Sequence, residues 1–403
     1  MKRKIIPKNK IYVGLILAMA LTAIAFMCIL IIADLFPAQI TVTLLCVLGF
    51  IFVLSWIMFC KPKKILQYAG MTLSIICIAI YGMGTYYIGS TYATIKKISS
   101  AYEANQKNTA DKFNATKDSF NIYLTGIDQW ESEKGYDLER SDVNMIVTVC
   151  PTTRKILLTS IPRDTYITLP RTGENDKLTH TGIYGVDETL KAIDNFLGIN
   201  MDCYFKSNFT AVVDIIDAIG GIRVYSDREF VPVTRSWWKV QKGWNDMSGT
   251  EALAFARERK AYNDKDSVRV ENQQKVVKAC IKKMTSSPAL LTGYGDILKA
   301  ASKNMSTDIP SDVFQDLIKM QLSEGGSWNI STQKVVGDYE MDYVASLSKD
   351  SKYLVYKPRE KSVEEVVSNI KNTMNPSKEE VAKAIAGRNK NTLLNFLKVS
   401  GNE

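Results

Sequence analysis

Histidine is almost missing from this 403-residue chain, where His180 stands alone. A single imidazole excludes a His-based zinc centre and leaves a Ser-His-Asp relay without spare partners. Cysteine is scarce too. Four of the seven (Cys28, Cys46, Cys60, Cys77) lie in long apolar runs. No pair has zinc spacing, and the other three, Cys150, Cys203 and Cys280, lack the spacing of a disulfide framework. They read as buried small hydrophobes. No Gly-rich phosphate loop of the P-loop or dinucleotide type is present. Charge is also missing in one informative place: no ionisable side chain other than tyrosine or cysteine occurs from Ile65 to Thr94.

Residues 11–32 form an uncharged apolar run long enough to cross a hydrocarbon core of ~30 Å as a helix. Residues 41–60 form a second and 68–89 a third. A cleaved signal peptide would be shorter and would not be followed by two more spans. The pattern therefore predicts a three-span anchor over residues 1–89. Lys2, Arg3, Lys4, Lys8 and Lys10 precede the first span, and Lys61, Lys63 and Lys64 separate the second from the third. The remaining loop, 33–40, carries only Asp34. Positive residues stay in the cytoplasm, so the N-terminus is expected inside and the C-terminal portion outside. This makes the chain a multi-pass cell-membrane protein. An exported portion without bridges suits a Gram-positive bacterium. The net charge of +9 then changes meaning. Residues 1–90 hold eight Lys/Arg and one acid, which leaves about +2 for the rest. The basic balance reports topology, and a nucleic-acid partner is not expected.

Residues 90–119 are polar and read as a helical stalk or linker. From 120 to 357 the pattern is that of a mixed globular domain. Segments 121–126, 143–149 and 155–160 are strand-like, and 186–197 is amphipathic on helical spacing. A short strand near Tyr204 precedes a helix over 209–219, ended by Gly220-Gly221. Ser248 caps a helix over 250–256, and 267–284 is a longer one. Strands alternating with helices indicate an α/β or α-β-α layered domain. Residues 358–403 are expected to hold one closing helix, 363–374, and a polar tail.

Charged residues recur at the ends of these elements. Asp128 follows an apolar strand and a glycine, Arg140 and Asp142 precede the next strand, and Arg163-Asp164 follows a third. Carboxyl ends of strands are where α/β ligands collect. Arg269 and Gln273, four apart, share a helix face that continues into Val276 or Val277, Cys280 and Met284. Arginine presents a planar fork of donors suited to phosphate oxygens. Taken singly, each charge reads most simply as a solvated loop residue. His180, in Lys-Leu-Thr-His, reads as a hydrogen-bonded structural histidine. Arg223, Arg228, Arg235 and the Trp237-Trp238 pair read as an exposed surface insertion.

Together, Ile127-Asp128, Arg140-Ser-Asp142-Val-Asn-Met, Leu158-Thr-Ser-Ile-Pro-Arg-Asp164, Lys177-Leu-Thr-His180, Ile219-Gly-Gly-Ile222, Ala254-Phe-Ala-Arg257-Glu-Arg259 and Arg269-(x)3-Gln-Gln-Lys275 resemble the LytR-CpsA-Psr family of bacterial wall-assembly enzymes. Three N-terminal spans are similar to the capsule-locus members. The extra domain those members usually carry before the catalytic one is not expected here, since only residues 90–119 are available. The resemblance implies three transmembrane helices followed by an extracellular α-β-α layered domain with a central mixed sheet. It also implies transfer of a glycopolymer, capsular or teichoic-acid-like, from polyprenyl pyrophosphate to peptidoglycan. Membrane lipids and other capsule-assembly proteins would be further partners. Asp128 and Asp142 are the expected ligands of Mg²⁺ (or Mn²⁺), with Asp128 the candidate for activating the acceptor hydroxyl. Arg163 and Arg257 join them as catalytic candidates. Arg140, Arg163, Lys191, Arg257, Arg259, Arg269 and Gln273 would clamp the pyrophosphate, and Asp164 would orient an arginine. Walls for the lipid tail are expected from 276–284 and 212–219. The alternatives are a polyprenyl-pyrophosphate hydrolase and a non-catalytic regulator or scaffold.

Overall fold

A computed structural model describes residues 10–61, 63–103, 113–127, 140–259, 265–286 and 305–389. Three helices, α1 (Lys10–Ala33), α2 (Ala38–Cys60) and α3 (Lys64–Glu103), are long and apolar enough to cross a membrane. They pack through Met19, Phe26, Cys77 and Tyr81. Gly84 is required there, because a Cβ would lie 2.4 Å from the Phe26 ring. Ser55 and Ser74, buried between α2 and α3, hydrogen-bond each other at 2.6 Å, so neither hydroxyl is stranded in an apolar surround. α3 runs on to Glu103, into the polar stretch expected to be a stalk.

The remaining described chain contributes twelve strands and eight further helices. In order these are β1 (Phe120–Ile127), β2 (Ser141–Cys150), β3 (Lys155–Ser160), β4 (Tyr166–Thr168), β5 (Asn175–Lys177), α4 (Leu178–Thr181), α5 (Val186–Leu197), β6 (Cys203–Asn208), α6 (Phe209–Ala218), β7 (Ile222–Ser226), β8 (Gly243–Met247), α7 (Gly249–Arg257) and α8 (Lys265–Met284). Then follow β9 (Met305–Thr307), α9 (Ser311–Glu324), β10 (Asn329–Lys334), β11 (Gly337–Asp342), β12 (Tyr353–Pro358), α10 (Glu360–Met374) and α11 (Lys378–Asn389). The expected mixed sheet is present, with strand order β10-β3-β2-β1-β6-β9. β1 pairs parallel to β6 and β3 parallel to β10, while β2 runs antiparallel to both β1 and β3. β1, β3, β6 and β10 therefore share one direction, and Ile127, Ser160, Asn208 and Lys334 end on one edge.

Side chains alternate across the pleat, and each face is covered. Met145, Val147 and Leu158 pack with Val313 and Met320 of α9 and Val277 and Ile281 of α8. On the other face Tyr123, Ile146 and Leu157 pack with Ile193 and Leu197 of α5 and Val366 and Ile370 of α10. The closing helix is thus part of the layered core. A third cluster joins α6, α7 and α8 to the β7–β8 hairpin through Ile216, Phe255, Val276 and Met247. Ser248 and Glu251 form a capping box at α7, and Gly220 and Gly221 take positive φ after α6, as the sequence leads one to expect. Cys150 and Cys203 are buried, Cys280 is half-buried, and all three are free thiols.

Candidate functional site

A cavity of about 590 Å³ opens at the carboxyl edge of β1, β3 and β6. Its position follows from topology, since that edge is where the loops after parallel strands converge. Asp142 reaches it through a defect in the sheet. Gly126 pairs with Val143 but Ile127 pairs with Ser141, which leaves Asp142 as an extra residue in β2. In a regular strand Asp142 and Val143 would face opposite sides. The bulge lets both line the same cavity.

Asp142 Oδ1 accepts from an Arg163 Nη1 donor at 2.5 Å, and Asp164 lies 3.5 Å from Arg163 Nε. Lys177 Nζ also donates to Asp164 at 3.1 Å. Asp164 thus forms ion pairs with both Arg163 and Lys177. Arg257, at the end of α7, lies with its guanidinium 4.2 Å from the centroid of Phe209, a cation over an aromatic face. Arg259 follows in extended chain. From α8 come Arg269, only 5% exposed, and Gln273. Four arginines, Gln273 and Asp142 therefore converge on one cavity. One turn beyond Gln273, α8 presents Val276 and Val277, so its lining changes from polar to apolar over about 12 Å. Leu124, Phe209, Val212 and Leu253 complete the apolar wall.

Residues 85–372 match the model of the LytR_cpsA_psr family. The chain belongs to the LytR-CpsA-Psr family. The polyisoprenyl-teichoic acid–peptidoglycan teichoic acid transferase TagU of Bacillus anthracis is 35% identical over 262 residues, covering 64% of this chain and 83% of that protein. A solved structure of TagT bound to LIIa-WTA superposes with a TM-score of 0.54 at 27% identity, over 67% of this chain and 97% of the other. TagT with bound octaprenyl pyrophosphate lipid gives 0.50 at 26% identity, over 66% and 94%.

Not every residue singled out in this LytR-CpsA-Psr sequence reaches the cavity. Arg140 is exposed ahead of β2, and Lys191 is exposed on α5, in the layer against the opposite sheet face. Neither lines the cavity. Asp128 lies outside the described residues. Cys280 and Met284, expected as tail walls, instead pack onto the α6–α8 core, as do Ile216 and Ile219. The α8 face that carries Arg269, Gln273, Val276 and Val277 lines the cavity and then continues past it.

Other lining residues were not singled out from the sequence. Asn208 ends β6 and caps α6, accepting from the Ala211 amide at 2.9 Å. A strand ending in Asn before an apolar helix was the available clue. Glu258, 3% exposed between two arginines, accepts from the Val233 amide at 2.8 Å. That bond fastens the tip of the β7–β8 hairpin, where Val233 and Thr234 form part of the wall. The segment expected to be an exposed surface insertion therefore also contributes to the wall of the cavity.

His180 is buried and hydrogen-bonded, as the sequence leads one to expect. Its Nδ1 lies 2.7 Å from Asp176 Oδ1 and 2.9 Å from Ser346 Oγ. Burial pushes the Asp176 carboxyl up, but hydrogen bonds from His180, Ser346 and the Lys177 amide outweigh it and hold the group below its ordinary value of 3.8. A carboxylate depressed by folding stabilises above that ordinary value, and the contribution is lost as pH falls through the lower folded value. Asp176→Asn is expected to cost about 1–3 kcal/mol at neutral pH, and less at an acid pH well below the ordinary value of 3.8. Urea unfolding at the two pH values checks this. An equal loss at both would remove the carboxylate's role.

Proposed function

We propose that this protein moves a phosphate-linked glycopolymer from a polyprenyl-pyrophosphate carrier to a hydroxyl of peptidoglycan. The observation that carries the reading is the cavity itself. Four arginines stand against two carboxylates, Asp142 and Glu258, for a formal +2 among the lining residues, which matches the two charges of a pyrophosphate diester. The same cavity continues into a wall that suits an isoprenoid tail, and relatives of this sequence are teichoic acid transferases.

In this scheme the acceptor oxygen attacks the phosphorus that bears the glycan. The bond to the bridging oxygen breaks, the hydroxyl proton is released, and polyprenyl monophosphate leaves. Such transfer is mostly positioning and charge stabilisation. Arg163, Arg257, Arg259 and Arg269 bind the phosphate oxygens, and Gln273 donates from the same helix face. Asp142 and Asp164 hold Arg163 in aim before the donor arrives. Among the described residues no three acidic, His or Cys side chains converge as a metal cage. That donor set still fits Mg²⁺, which is commonly held by one or two carboxylates plus water and substrate phosphates. Asp142 would be the carboxylate in the cavity, with Asp128 the second candidate. The ion would supply charge neutralisation at the phosphate.

The orientation proposed places the N-terminus and the Lys61–Lys64 loop in the cytoplasm and the domain outside, facing the wall. An impermeant amine reagent applied to intact cells should leave Lys63 and Lys64 unlabelled. Labelling there would invert the assignment. For the activity, the full chain in a bilayer disc should convert a labelled donor into sacculus-bound label and an equal amount of polyprenyl monophosphate. Chelation with EDTA should suppress turnover by at least about tenfold, with restoration by Mg²⁺ or Mn²⁺. Label released as free phosphosugar with none on the sacculus would make the protein a hydrolase.

A further inference from the structure

The β7–β8 hairpin shows Tyr225, Trp237 and Trp244 to solvent, and the two tryptophans are the most exposed aromatic rings among the described residues of the outer domain. Ile222, Val224 and Ser226 point inward, while Arg223 and Tyr225 point outward. Tyr225 pairs with Trp244 across the ladder, edge to face at 5.4 Å, and Trp244 is 60% exposed. The Arg223 guanidinium lies 5.8 Å from the Trp244 ring. At the tip Trp237 is 73% exposed, with Arg235 4.7 Å from its ring. Core packing does not need these rings, because Trp238 and Phe230 already supply the inward contacts. Exposed apolar clusters rimmed by polar groups mark interaction sites.

We propose that this hairpin is the docking surface for the acceptor glycan strand of peptidoglycan, a proposal that rests on the transferase reading above. Flat rings flanked by charged groups suit pyranose faces, whose C–H bonds stack on the ring while hydroxyls reach the charges. The rim argues against a bilayer as occupant. Asp246 is 87% exposed at its side chain and stands opposite Arg223, and Glu229 is half exposed beside Lys239. Carrying these carboxylates into an apolar layer is costly, whereas sugar hydroxyls donate to them readily. Position argues for acceptor over donor. The donor is held inside the cavity by its phosphates and tail, and the acceptor must come from solvent to the mouth. Val233 and Thr234, on the same hairpin, line that mouth. A strand lying on the hairpin is presented to the phosphorus at high effective concentration.

The test compares the wild-type full chain in bilayer discs with Trp237→Ala/Trp244→Ala, using purified sacculi stripped of attached polymer. The double variant should co-sediment about tenfold less and need about tenfold more sacculi for half-maximal transfer. Its binding of labelled donor and its thermal unfolding should stay unchanged, and Trp237→Phe/Trp244→Phe should recover most of the sedimentation. Unchanged co-sedimentation overturns the proposal. So does a loss of binding to anionic phospholipid vesicles with sacculus binding intact, which would make the hairpin a membrane contact. Arg269→Ala separates the two readings, because it should abolish donor binding while leaving co-sedimentation intact. Retained donor binding in that variant would refute the transferase site and leave the hairpin result to be judged on its own.

Discussion

Replacing Arg269 by alanine is expected to lower transfer by on the order of 10²–10³, the usual loss when one preorganised donor to a charged transition state is removed. The side chain is buried on α8 beside Gln273 and faces a cavity that holds three other arginines. Water fills the gap poorly in such a site, so the charge is not replaced. Arg269→Lys keeps the charge but loses the planar fork, and should fall between the wild type and the alanine variant. Single-turnover release of polyprenyl monophosphate reads the effect directly. If both variants turn over at the wild-type rate, the pyrophosphate does not bind where the arginines converge.

The second large effect is on stability. Gly249 opens α7 where it crosses α6, and a Cβ there would lie 2.3 Å from the Val213 carbonyl oxygen and 2.7 Å from its Cα. These are backbone atoms and have no rotamer to escape into. The Gly249 amide also donates to Asp217 Oδ1 at 2.6 Å, which fixes the separation. Gly249→Ala should cost about 3 kcal/mol as an overpacked contact. For a globular domain of about 240 residues that lowers the melting temperature of the domain by about 6–12 °C. Scanning calorimetry of the full chain in detergent decides it, and an unshifted midpoint would show that the two helices part freely. Because α6 and α7 carry Val212, Ala256 and Arg257 into the cavity, donor affinity should fall with the midpoint.

What could be read beforehand follows from the range of the forces involved. Arg269 and Gln273 were legible as a pair because helical spacing alone puts them on one face, whatever they meet. Strands β1 to β3 were legible because their apolar runs are continuous and bounded by turns. His180 was legible as structural because one imidazole in a polar loop has little other use. The inward turn of Asp142 was not, since it depends on a bulge set by pairing with a strand some fifteen residues earlier. Nor was the exclusion of Lys191. Its helix has a clear apolar face, but the sequence does not say which side of the sheet that face covers. Val233 and Thr234 escaped notice for the same reason. Their place is fixed by one hydrogen bond to Glu258, across 25 residues of chain.

That hydrogen bond also constrains how such a protein can change over generations. Glu258 sits between Arg257 and Arg259, so the hairpin tip and the phosphate clamp are fastened to one buried carboxylate. Because the donor is the backbone amide of Val233, a lineage can vary the side chains at 231–234 freely, whereas a proline at 233 or a shift of the hairpin backbone would leave the buried carboxylate without that donor beside the arginines. Under the proposed scheme, recognition of the acceptor and grip on the donor would share one backbone constraint and separate side chains.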